Sequence, residues 1–197
     1  MNRSARSGAL VAAGFLLMSL AESIGAQDSV TATSGDPRVI AAIRSRFATV
    51  QRKLARYAVV DRELAGFSAE GGTVRGYFDG PRLMKLEARH FGETGRATEE
   101  YFFAGAEPVF VYHVSERYDR PLSGRVVRRV ETRYYLDHGR LVRRVHAATG
   151  STDVGERFEW MSTDEIRRDA KRLMSCVRAT TPEPEKCDAD AQPSSGA

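Results

Sequence analysis

The stretch whose reading decides the fold is Thr73-Val-Arg-Gly-Tyr-Phe-Asp-Gly-Pro-Arg-Leu-Met-Lys-Leu-Glu-Ala-Arg-His-Phe91. Its apolar residues recur with a period near two, and β-branched and aromatic side chains are dense. Asp79-Gly80 interrupts the run with a residue that accepts positive φ without a Cβ penalty. These features predict a β-hairpin. The pattern continues downstream, so strands are expected near 73–78, 82–91, 96–103, 108–117, 125–136 and 140–147. The connections are Asp79-Gly80, Gly92 to Gly95, Ala104-Gly105-Ala106, Asp119 to Gly124 and Asp137-His138-Gly139, each with the Gly, Pro or Asp that tight reversals use. The expectation is an antiparallel meander of about six strands.

Working outward, the period changes to 3.6 on both sides. Asp36 followed by Pro37 reads as an N-cap and first helical residue, and Val39, Ile40, Ile43, Phe47, Val50, Leu54 and Tyr57 then recur at three- and four-residue steps. This predicts a helix over 37–58 whose outer side is basic, because no acid lies between Pro37 and Tyr57. Downstream, Ser162 with Glu165 is a capping box, Met161 with Ile166 is a hydrophobic staple, and Ile166, Ala170, Leu173 and Val177 form an apolar stripe. Arg157 to Trp160 reads as a lead-in or a short extra strand. Helix, meander, helix makes a single α+β domain over 27–180, with the first helix across one face of the sheet. Cystatin-like and NTF2-like packing both suit this order of elements.

Before the domain, Arg3 and Arg6 precede the apolar stretch Ala9 to Leu20, and Ser23-Ile-Gly-Ala26 follows it. This is the layout of a cleaved secretory signal over 1–26, with export to the periplasm or exterior. The run is far too short for a transmembrane helix, which needs roughly 20 apolar residues. In an oxidising compartment Cys176 and Cys187 are expected to form a disulfide that ties the Pro-rich tail, 181–197, to the end of the second helix, with disorder beyond 187. With 42% hydrophobic and 28% charged residues and a net charge of +4, the chain has the profile of a folded domain and not of a disordered or fibrous one.

Tyr77-Phe78 before Gly80, Tyr101-Phe102-Phe103 before Gly105, and Tyr134-Tyr135 before Gly139 form a weak internal repeat of aromatic strand end, glycine turn and aliphatic return strand. In these units residues 68–147 resemble small exported bacterial proteins of unknown function, with a distant similarity to MORN-like hairpin repeats. The resemblance implies a hairpin architecture and brings no catalytic residue with it.

No His-Glu-x-x-His, Gly-x-Ser-x-Gly, P-loop or Gly-x-Gly-x-x-Gly is present, and no Cys/His spacing matches a zinc finger or ribbon. No cofactor or metal is indicated. His90, His113 and His146 fall in strands and His138 in a turn, while the adjacent Glu99 and Glu100 point to opposite sheet faces. Charge is the most informative signal. Arg125, Arg128, Arg129, Arg133, Arg140, Arg143 and Arg144 crowd two strands with only Glu131 and Asp137 to oppose them. An anionic ligand would relieve the repulsion, since guanidinium binds carboxylate and phosphate through a planar fork. The competing explanation is a coding bias, since Arg outnumbers Lys 26 to 4, and that would place Arg on any solvated surface. The expected role is a non-enzymatic binding protein for an anionic small molecule, envelope lipid or envelope protein, using Arg128, Arg133, Arg143, Arg144 and Tyr134; nucleic acid is not expected. Two alternatives stay open. One is a protein inhibitor or envelope-assembly accessory acting through the loops Asp119 to Gly124 and Thr149 to Asp153. The other is a hydrolase without a short motif, with His113 or His146 as base.

Overall fold

The computed structural model describes residues 29–31, 35–150, 160–179 and 186–188. The segment through Ala26, the loop residues Ser151 to Asp153, Arg157 to Glu159 and the tail past Asp188 lie outside the described residues. In chain order the elements are β1 (Ser29–Thr31), α1 (Pro37–Lys53) followed by one 3-10 turn (Leu54–Arg56), β2 (Ala58–Ala65), β3 (Gly72–Asp79), β4 (Arg82–Gly92), β5 (Gly95–Ala104), β6 (Glu107–Tyr118), β7 (Val126–Asp137), β8 (Arg140–Gly150), α2 (Thr163–Arg178) and β9 (Lys186–Asp188). The fold is mixed α+β. Strands β2 to β8 form an antiparallel meander in sequence order; β1 adds antiparallel beyond β8, and β9 adds parallel beyond β2. No helix among the described residues is long and apolar enough to cross a membrane.

The long strands number seven, not the six expected, and the addition is β2. The helix was expected to run to residue 58, but it ends at Lys53, and Tyr57 is already extended with ψ 144°. No Gly or Pro separates helix from strand, and Leu64 is the only fully buried residue of β2. The strand is held mainly by its seven-residue ladder with β3, so it carries little hydrophobic period of its own.

The sheet has a helix on each face, with α1 across one of them as expected and α2 on the other. Because successive side chains of a strand point to opposite faces, the aromatic clusters feed both layers. Tyr101 and Phe103 are buried with Val111, Tyr134, Leu136 and α2, whereas Phe102 is buried with Phe110, Tyr135 and α1. This gives the aromatic repeat a second physical reason beside cross-strand packing. The hairpin between β7 and β8 closes on His138 and Gly139, with φ of 47° and 70°, the left-handed pair that a two-residue turn requires.

Both helix starts follow the sequence. Asp36 Oδ1 accepts from the Arg38 amide at 2.8 Å. Ser162 Oγ accepts from the Glu165 amide at 3.2 Å, while Glu165 Oε2 accepts from the Ser162 amide at 2.7 Å. At its far end α2 is anchored by the Cys176–Cys187 disulfide, with the two Cα atoms 5.5 Å apart. That bond carries β9 to the open edge of β2, where Leu64 pairs with Cys187.

Candidate functional site

Helix α1 covers only part of its sheet face, and a cleft of about 510 Å³ opens along its flank. Phe47 descends from the helix and packs edge-on against Phe102 at 4.9 Å and Phe110 at 5.2 Å, and Phe110 meets Tyr135 at 5.1 Å. Phe47, Phe110, Tyr112 and Tyr135 line the cleft with Arg44 and Gln51 from α1 and Glu100 and Arg133 from the sheet. Spacings of three and four residues put Arg44, Phe47 and Gln51 on one flank of the helix. The Arg44 guanidinium lies 5.8 Å from the centre of the Tyr135 ring, and that of Arg133 lies 5.7 Å from Tyr112. Glu100 is held by Lys85 Nζ at 2.9 Å; this lysine is almost fully buried, with the rings of Tyr77 and Phe102 about 5.5 Å and 5.4 Å away.

Beyond α1 the same sheet face carries a chain of ion pairs. Arg96 Nε meets Glu116 at 2.5 Å, Arg129 bridges Glu116 at 2.6 Å and Glu131 at 3.0 Å, and Arg133 joins Glu131 at 3.3 Å. Burial alone would raise the carboxyl pKa of Glu116, but its hydrogen bonds to Arg96 and Arg129 outweigh that and hold it below the usual range. Burial likewise opposes ionisation of Glu131, and Tyr112 together with Arg129 reverses the balance. Burial first, then the hydrogen bond to Glu131, pushes the Tyr112 phenol up.

The structure therefore divides the arginine cluster expected from the sequence. Strand alternation puts Arg133 and Arg143 on the α1 face, and Arg128, Arg144 and Tyr134 on the α2 face. Of these five residues only Arg133 lines the cleft. Tyr134 is fully buried and its hydroxyl accepts from the Met161 amide at 3.2 Å, while Arg144 lies 4.3 Å from the Trp160 ring centre. Across the β7–β8 ladder Arg129, Arg133, Arg143 and Arg144 face Thr149, Val145, Tyr135 and Tyr134, so none of them opposes another arginine. Strand β6 supplies Glu116 at Arg129, and Asp119 just beyond it bonds Arg125 at 2.8 Å. Glu116 lies 13 residues before Arg129, and the β6–β7 register brings the two together.

The three strand histidines share the α2 face. Glu99, His113, Thr132 and His146 are successive cross-strand partners, so they form one row over four strands. His90 Nε2 lies 3.9 Å from Glu99, and the Tyr101 hydroxyl donates to Glu99 Oε2 at 2.6 Å. Burial disfavours the Glu99 carboxylate, yet His90, His113 and Tyr101 together hold its pKa below the usual range. Burial pushes His113 down, against the pull of Glu99. No group of three or more His, Cys, Asp or Glu among the described residues is placed to hold a metal ion.

No protein-family model matches the chain, and no curated protein or solved structure matches it either. The site has therefore to be read from its own chemistry. In the sequence Arg133 stands out as one of the crowded arginines, whereas Phe47 reads only as part of the core stripe and Arg44 only as one cation of the basic outer side of the helix. The helical spacing of Arg44, Phe47 and Gln51 was the available signal. Nothing local pointed to Glu100 or Tyr112, whose place in the cleft depends on the β4–β5–β6 register.

Proposed function

We propose that this chain is an exported, non-enzymatic binding protein, and that its ligand is an amphiphile with an apolar or aromatic body and an anionic end. The cleft between α1 and the sheet carries the reading. Its volume lies within the range of small-molecule sites, and its four rings offer the apolar contact such sites use. Arg44 and Arg133 hold guanidinium groups at its wall, suited to a carboxylate or phosphate. Export is supported by the leader pattern ending at Ala26 and by a disulfide suited to an oxidising compartment.

Native mass spectrometry of the protein from its host's exported fraction tests this. The expected result is a chain starting at Gln27 that carries an extra mass lost on denaturation. The same mass should be missing from a folded Arg44→Glu/Arg133→Glu variant. A wild-type protein at its bare mature mass, two hydrogens light for the disulfide, would overturn the cleft reading and favour an accessory that binds a protein partner.

A further inference from the structure

Several arginines of the sheet and its turns come with acids: Arg75 with Asp61 at 2.6 Å, Arg89 with Glu87 at 2.7 Å, Arg125 with Asp119 at 2.8 Å, and Arg129 with Glu116 at 2.6 Å. A coding bias explains solvated arginines of that kind. On α1 and its 3-10 turn the situation differs, because no Asp or Glu occurs from Pro37 to Arg56. Arg38, Arg44, Arg52, Lys53 and Arg56 are all exposed, and no carboxylate among the described residues is within ion-pairing distance of them.

Three positions on this helix align. Arg38, Ser45 and Arg52 follow at steps of seven residues, which places them in one line opposite the buried Ile40, Ile43 and Val50, and Arg56 follows on the 3-10 turn. The exposed residues Ala41, Ala42 and Ala55 lie nearby and let a flat surface come close. We propose that this side of α1 docks the protein on an anionic phospholipid bilayer. A row of exposed cations on a helix and its 3-10 turn, with no aromatic platform among them, suits a planar array of headgroups better than the bases of a nucleic acid, which stack on aromatic side chains. The apolar stripe of α1 is committed to the core, so the association is peripheral, electrostatic and sensitive to salt. Arg44 and Gln51 on the flank of the same helix line the cleft, so docking sets its mouth near the lipid surface. Docking does not require an occupied cleft, and the two readings fail separately.

The test is co-sedimentation of the full chain with vesicles of phosphatidylcholine, alone or mixed with phosphatidylglycerol, at low and high salt. Binding is expected only to the mixed vesicles, and only at low salt. The Arg38→Glu/Arg52→Glu/Arg56→Glu variant should lose on the order of a hundredfold in partitioning, from about fivefold per cation. An Arg82→Glu/Arg120→Glu/Arg140→Glu variant, with the same net charge, and Arg133→Ala, which damages the cleft alone, should both still bind. Circular dichroism confirms that each variant is folded. Two results would overturn the proposal: no binding to the mixed vesicles, or equal loss in the two triple variants.

Discussion

Glu99 and His113 face each other across β5 and β6, and their neighbourhood sets a pH dependence. Burial depresses the proton affinity of His113 below the ordinary value near 6.5. As pH falls through that value the unfolded chain takes up a proton that the folded chain excludes, so stability falls. The contribution is complete above pH 7 and is lost progressively towards pH 5, at no more than about 1.4 kcal/mol per pH unit for one proton. Glu99, also depressed, adds a loss in the same direction below about pH 4. Asp169 on α2 acts oppositely, because burial and the nearby Glu99 raise its carboxyl. Urea midpoints between pH 8 and pH 5 should therefore fall more steeply for the wild type than for His113→Gln, and equal slopes would remove His113 from the account. The sequence placed His90, His113 and His146 in strands. That all three share one face with Glu99 depends on register between strands, which no local pattern encodes.

Among the elements, α2 lies on the sheet where β3 has no side chain. A Cβ added at Gly76 would stand 2.9 Å from Phe78 Cε2 and 3.1 Å from Val177 Cβ, so the glycine is needed for close approach of the helix. Gly76→Ala should cost about 1–3 kcal/mol, as overpacking of a close contact does. Part of that should return in Gly76→Ala/Val177→Ala, and a double-mutant cycle from urea denaturation measures the coupling. Full additivity would show that the helix does not sit on Gly76. The start of α2 was legible in the sequence to the residue, because a capping box is a contact within four positions. The end of α1 was not, since the shift from helix to β2 follows from the ladder with β3.

For the molecule as a whole, the open question in any meander is its edges. Here β9 covers β2 through the Cys176–Cys187 bond, and β1 covers β8. Cys176→Ser/Cys187→Ser loses the crosslink and should lose about 3 kcal/mol of stability, the loop-closure entropy of a disulfide this size. A chain ending at Ala179 with Cys176→Ser loses the covering strand as well. The bared β2 edge should also self-associate. Sedimentation velocity over a concentration series reads the second effect, and a strictly monomeric truncated chain would show that β9 is not an edge guard.

The sequence by itself determined the helix starts, six of the seven long strands and the tight turns, because each depends on short-range geometry: a capping contact, a period of two or 3.6, or a residue that tolerates positive φ; the cysteine pair followed from there being only two cysteines in a chain read as exported. Tertiary structure alone decided that a helix covers each face, that the expected arginines lie on opposite sides of the sheet, and that Glu116 from β6 neutralises Arg129. It also leaves the exposed cations of α1 with no carboxylate among the described residues in ion-pairing distance. The physical reason is that a shift of one residue in strand register sends every side chain to the other face, and register is set by how one strand pairs with the next, bulges included, which the period within a strand does not encode.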